Sequence, residues 1–206
     1  ASPVQMAAFL IALKMRGEAP SDIAAGAGSL RRHALTLDAP DNAMDIVGTG
    51  GDGIGTYNIS TATALVLAGA GIPVAKHGNK AVSSKSGAAD VLTALGINLD
   101  CPEEALSEAL SAAKIVFLMA PRHHSAMRHV APIRAELGVR TIFNLLGPLS
   151  NPALVRRILV GVFDARWLQP FAEALRTLGT TDAFIVHGAD GLDELSTTGS
   201  NQITML

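Results

Sequence analysis

Residues 45–60 read DIVGTGGDGIGTYNIS. The apolar run Met44–Val47 predicts a strand, five glycines follow at 48, 50, 51, 53 and 55, and a helical pattern opens near Ser60. A strand handing over to a helix through a glycine-rich loop is the first unit of an α/β fold. Glycine admits positive φ and close approach, so several N–H groups can point at one anion. Asn58, Ser60 and Thr61 stand at the helix start, where free N–H groups and the helix dipole favour a phosphate. The loop lacks the GxxxxGK[ST] pattern, and Asp52 lies among the donors. A carboxylate there repels a bare phosphate; it suits a sugar hydroxyl, a metal-bridged pyrophosphate or a metal-bound water.

Outward from this unit the alternation continues. Further strands are expected at Ile72–Ala75, Ile115–Met119, Ile158–Val162 and Ala183–Val186. Helices are expected near Ser60–Leu67, Ser86–Leu95, Pro102–Ala113, Ser125–Leu137 and Arg166–Leu178, several ending at a glycine (Gly69, Gly96, Gly138, Gly179). Such a pattern argues for an α/β fold with a mostly parallel central sheet flanked by helices, with ligands at the carboxyl ends of the strands. Before Asp38 there is no strand. Ser2-Pro3-Val4-Gln5 has a capping serine, a first-turn proline and a glutamine closing a capping box, and this helix runs to Arg16 before Gly17. A second helix is expected from Ser21 to Leu35. The first 38 residues therefore form a small helical domain. Ile203–Leu206 reads as a strand just opening, and both ends are expected to be truncated.

Composition narrows the classes. Of 206 residues 49% are hydrophobic and 17% charged, enough for a sizeable core. A formal net charge of −2 gives no basic field for nucleic acid, so anion binding has to come from local clusters. Cys101 is the single cysteine, which excludes an intrachain disulfide and reads as structural. The apolar stretches around Ala62–Ala75 and Ile115–Pro121 are too short for a membrane span. No leader pattern is present, and the cytoplasm is the expected location.

Two further segments carry chemistry. Lys76–Ser86, KHGNKAVSSKS, packs three lysines and hydroxyls into a loop after a strand, suited to charge-assisted bonds with phosphate. Asp190-Gly191-Leu192-Asp193-Glu194 offers hard oxygen ligands of the kind Mg²⁺ takes beside substrate phosphates. The six histidines show no metal-ligand spacing.

Taken together, GTGGDG, NIST, KHGNKAVSSKSGAADVLTALG, HVAPIRAELGVRTIFNLLGPLSNP and DGLDE, in this order, resemble the anthranilate phosphoribosyltransferases of the nucleoside phosphorylase-like phosphoribosyltransferase family. The resemblance implies a small helical domain (1–38 plus about 122–138) and an α/β phosphoribosyl-pyrophosphate-binding domain (39–121 and 139–206). It implies transfer of the 5-phosphoribosyl group to the amine of anthranilate, in tryptophan biosynthesis, with Mg²⁺ as cofactor and a homodimer. By the same resemblance Gly48, Gly51, Asp52 and Thr56, with Asn58, Ile59, Ser60 and Thr61, line the phosphoribosyl pyrophosphate site. Lys76, His77, Gly78, Asn79, Lys80, Ala81, Val82, Ser83, Ser84 and Ala88 wrap the same substrate. Gly48, Asn79 and Arg134 are implied for anthranilate, with His123 and His124 nearby. Ser60, Asp193 and Glu194 are implied for Mg²⁺. No residue is assigned as general base, and no covalent intermediate is expected. The rival readings are a pyrimidine nucleoside phosphorylase-like enzyme, which shares a KHGN-like loop, and a non-catalytic nucleic-acid-binding homologue, which would need a basic surface.

Overall fold

The computed structural model describes residues 1–80 and 87–206. Two helices come first, α1 (Pro3–Arg16) and α2 (Pro20–Arg32). At α1 the expected capping box forms: Gln5 N–H donates to Ser2 Oγ at 3.3 Å and Ser2 N–H to Gln5 Oε1 at 2.8 Å. The α/β part follows as β1 (Met44–Gly48), α3 (Ile59–Gly69), β2 (Val74–Gly78), α4 (Ala88–Ala94), α5 (Glu103–Ala113), β3 (Ile115–Met119), α6 (Ala120–His123), α7 (Ala131–Leu137), α8 (Phe143–Leu146), β4 (Arg157–Gly161), α9 (Leu168–Thr177), β5 (Asp182–His187) and β6 (Gln202–Met205). The sheet order is β3-β2-β1-β4-β5-β6. All neighbours run parallel except β6, which returns antiparallel on β5.

This order makes β1 central and puts the reversal of strand order between β1 and β4. Ligands of open α/β sheets sit at such a crevice. One face of the sheet, with Val47, Ile158, Val160 and Ile185, packs with Leu10 and Leu13 of α1, Ile23 and Ala27 of α2, and Phe171 and Leu175 of α9. The helical segment thus shares its core with the α/β part. Smaller clusters gather Ile46, Ala64 and Val74, and Leu106, Leu110, Val116 and Leu118.

Three expectations need correction. The second strand is Val74–Gly78 rather than Ile72–Ala75, because Ile72 is engaged in the turn that closes α3. Gly71 at φ 87 donates to Ala68 O, and Ile72 N–H donates to Leu67 O at 3.0 Å, which closes the helix in a Schellman turn. Gly69 is accordingly the last helical residue and Gly71 the terminator. The helix expected over 125–137 is broken: Ser125–His129 is a 3₁₀ turn, and α7 starts afresh around Pro132, whose ring cannot sit inside a continuous helix. The helix expected from Arg166 likewise opens with a 3₁₀ turn, Ala165–Trp167.

Candidate functional site

The glycine loop leaves β1 with Gly50, Gly51, Gly53 and Gly55 all at φ between 69 and 76. An L side chain is strained there, so these four positions call for glycine. Thr49 pins the loop to β4, its N–H donating to Gly161 O at 2.9 Å while its hydroxyl accepts from Phe163 N–H at 3.0 Å. Across the loop, Asn58 caps α3 by accepting from Thr61 N–H at 3.3 Å. Ser60 and Thr61 are buried in the first turn, and the Thr61 hydroxyl has no hydrogen-bond partner among the described residues.

Beneath the loop lies the acidic pair, with Asp193 buried and Glu194 half-buried instead of forming a solvated turn. Asp193 is 8% exposed and accepts from Gly50 N–H at 2.6 Å. Glu194 accepts a short hydrogen bond from the Ser60 hydroxyl. Two glycines make this approach possible. A β-carbon on Gly48 would stand 2.5 Å from Asp193 Oδ2, and one on Gly161 would overlap the Asp193 carbonyl. Burial, with the Asp52 and Glu194 charges nearby, pushes the Asp193 carboxyl up to about 7. Glu194 is also raised, chiefly by burial, against the Ser60 hydrogen bond and the Lys76 charge, which lower it. Carboxylates held together at this cost suit a cation.

Among the described residues no group of three or more His, Cys, Asp or Glu side chains could hold a metal ion. Two carboxylates with a hydroxyl nevertheless fit Mg²⁺, which typically takes one or two carboxylates and completes its octahedron with waters and phosphates.

Lys76, His77 and Gly78 were expected in a loop; they form the end of β2, with Lys76 and His77 buried. Partners remote in sequence hold this end of the strand, although the buried His77 Nε2 has no hydrogen-bond partner among the described residues. Lys76 Nζ donates to Ile46 O at 2.6 Å, and His77 N–H donates to Asp45 Oδ1 at 3.2 Å. Burial lowers the Lys76 pKa, against the charges of Asp45 and Glu194 that raise it. Burial, then the neighbouring His124 and His123, push His77 down to about 3. The His77 and His124 rings meet edge to face at 5.2 Å between centroids. His123 is buried on Leu35 O at 2.6 Å, while His33 and His187 bond to main-chain carbonyls.

Asn79 is exposed, its side chain turned onto the Lys80 N–H at 2.8 Å. Ala88 opens α4 beside Gly78. Gly51 and Thr56 lie exposed in the loop, with Asp52 half-buried. Arg134 is half-buried on α7, its guanidinium 5.5 Å from the Phe143 ring centroid. Ala81, Val82, Ser83 and Ser84 lie outside the described residues.

The structure adds residues that the sequence did not single out. Arg140 donates a short hydrogen bond to Gly51 O, lies 4.0 Å from the Phe163 ring centroid, and through its own carbonyl accepts from Lys14 Nζ of α1 at 2.9 Å. It thus joins the helical segment to the glycine loop. Asn151, 1% exposed, binds Asp45 Oδ2 at 2.7 Å and Ala75 O at 2.8 Å. No spacing or composition marks either residue; only the folded chain does.

Known proteins are similar throughout. An anthranilate phosphoribosyltransferase of Parvibaculum lavamentivorans is 59% identical over all 206 residues, which span 60% of its length. One of Brucella suis is 57% identical with the same coverage. The crystal structure of anthranilate phosphoribosyltransferase from Thermus thermophilus superposes with a TM-score of 0.94 at 52% identity, covering all of this chain and 62% of that one. The Saccharomyces cerevisiae enzyme in complex with phosphoribosyl pyrophosphate and Mg superposes at 0.90 with 35% identity, covering 99% of this chain and 60% of that one. The chain therefore spans about 60% of the length of the curated relatives it matches. Residues 1–34 match the helical bundle domain and residues 40–206 the a/b domain of one family. The chain belongs to the glycosyl transferase family built from these two domains.

Proposed function

We propose that the protein transfers the 5-phosphoribosyl group of phosphoribosyl pyrophosphate to the amine of anthranilate, releasing pyrophosphate, as a step of tryptophan biosynthesis. The observation that carries this reading is the convergence of the Asp193–Glu194 pair, Ser60 and the glycine loop at the crevice between β1 and β4. The names and ligands of the similar enzymes support the choice of substrates.

Mg²⁺ on Asp193 and Glu194, with Ser60 beside them, would neutralise charge on the departing pyrophosphate. Loop N–H groups and the first turn of α3 hold phosphate oxygens, and the Lys76 ammonium adds a fixed positive charge behind the acid pair. The Arg134 guanidinium takes the benzoate carboxylate in two parallel hydrogen bonds. Holding the aniline nitrogen against C1 of the ribose supplies much of the rest, because that amine is already nucleophilic. His77, neutral and weakly basic, is not the proton acceptor, and no covalent intermediate forms. Asn79 meets the acceptor after releasing the Lys80 N–H. We also propose that the protein works in the cytoplasm and pairs into a dimer through α1, whose Val4, Phe9 and Met15 are exposed; sedimentation of the full-length protein tests the pairing.

The test is direct. The full-length protein, mixed with phosphoribosyl pyrophosphate, Mg²⁺ and anthranilate, consumes anthranilate fluorescence. No decay would overturn the assignment, and phosphorolysis of thymidine in its place would point to the nucleoside phosphorylase reading.

A further inference from the structure

β1 and β2 are registered at one pair, Met44 opposite Val74, whereas β2–β3 and β1–β4 each run through five. Beyond that pair, three main-chain groups are taken by side chains. His77 N–H goes to Asp45 Oδ1, Ala75 O accepts from Asn151 Nδ2, and Ile46 O accepts from Lys76 Nζ. Asp45 and Asn151 also bond to each other, and Asn151 Oδ1 accepts from Ala153 N–H at 2.8 Å. Asp45 is fully buried and Asn151 nearly so. Asp45 and Asn151 thus form a polar wedge at β1 and β2, just where the two strands deliver their ends to the site.

The cost of this arrangement argues against mere packing. Burial raises the Asp45 carboxyl to about 6, so an ionised Asp45 destabilises the folded chain at neutral pH. A ladder of main-chain bonds would satisfy the same groups without a buried charge. What the wedge sets is the spread between the end of β1, which launches the glycine loop, and the end of β2, which launches Asn79.

We propose that Asp45 and Asn151 are positioning residues that fix the β2 end, with His77 and Asn79, at the distance from the glycine loop that brings acceptor and phosphoribosyl donor into line. The inference rests on the function proposed above. The wedge ties Asp45 of β1 to the end of β2 that leads into Asn79, the residue implied for both substrates, and it makes no hydrogen bond to the acid pair, Ser60 or the loop donors. Loss of the wedge therefore moves one substrate relative to the other.

The test compares full-length wild type with Asp45→Asn, Asp45→Ala and Asn151→Ala. The measurements are KM for each substrate, kcat, Mg²⁺-pyrophosphate affinity by calorimetry, unfolding midpoint, and hydrogen exchange at the His77 amide. In Asp45→Ala and Asn151→Ala, kcat over KM for anthranilate is expected to fall roughly ten- to a hundredfold, the scale of a misplaced reactant. Mg²⁺-pyrophosphate affinity stays within about twofold, on the reasoning that its ligands lie elsewhere. Asp45→Asn, which keeps an acceptor for the His77 N–H, retains part of the loss-sensitive activity, and its unfolding midpoint at neutral pH does not drop. Equal losses for both substrates accompanied by lost stability would show a structural residue only and overturn the proposal, as would no loss at all. If wild type turns over no anthranilate, the function proposed above fails on its own. The wedge is then judged by the His77 amide: faster exchange in Asp45→Ala at unchanged global stability supports it, and unchanged exchange refutes it.

Discussion

Replacing Asp193 by asparagine is expected to stabilise the protein while destroying the site. In the folded chain the Asp193 carboxyl is raised from 3.8 to about 7, with burial as the main cause. A raised carboxyl contributes stability that is complete below its unfolded pKa and is lost as pH rises through its folded one. At pH 8 the ionised group therefore costs about 4 kcal/mol, and at pH 5, where the folded form stays protonated, only about 1 to 2 kcal/mol. Asparagine carries no charge to bury and can still accept from the Gly50 N–H. Denaturant titration in the presence of a chelator should show the variant more stable than wild type at pH 8, by about 2 to 4 kcal/mol, with the gain shrinking by about 2 kcal/mol at pH 5. Added Mg²⁺-pyrophosphate should cut the variant's advantage by about 3 kcal/mol at a hundredfold excess over Kd, since only wild type gains by binding. A variant less stable at pH 8, or a gain that ignores pH, would refute the electrostatic reasoning.

Gly161→Ala should abolish Mg²⁺-pyrophosphate binding in calorimetry although no ligand is altered, because the new methyl overlaps the Asp193 carbonyl; retained binding would contradict this. His77, lowered to about 3 against an ordinary 6.5, contributes stability that is present above pH 6.5 and lost as pH falls towards 3. Acid titration of wild type should therefore show about 3 kcal/mol of loss by pH 4 that His77→Gln lacks. Arg134→Ala should raise KM for anthranilate at least about tenfold with little change for phosphoribosyl pyrophosphate, on the scale of a lost charged hydrogen bond. Equal changes in the steady-state constants of both substrates would remove Arg134 from the acceptor site.

The fold was legible where local chemistry speaks for itself. The Ser2 capping box, the Ile115–Met119 strand and the terminators Gly96, Gly138 and Gly179 depend on neighbours in sequence and stand as read. The glycine loop was legible too, since four left-handed glycines leave a compositional trace. Lys76 and His77 read as loop residues because the groups they bond to, Ile46 and Asp45, are remote in sequence. A charged residue reads as exposed until the partner that pulls it inward is known. Arg140 escaped notice for the same reason: a cation after a helix end is ordinary, and its reach to Gly51 and Phe163 exists only in three dimensions. The acidic pair was found by composition, but not its burial, which comes from the close pass of residue 193 over β4.

That close pass has an evolutionary edge. The position of the carboxylates is dictated by an absent side chain on a strand that bears no polar function. A lineage could keep the loop, the acids and the helix cap letter for letter and still lose the cation through one methyl at position 161. Judging whether a relative is competent by checking its ligands alone would pass such a sequence as intact; the residue to inspect is the glycine underneath.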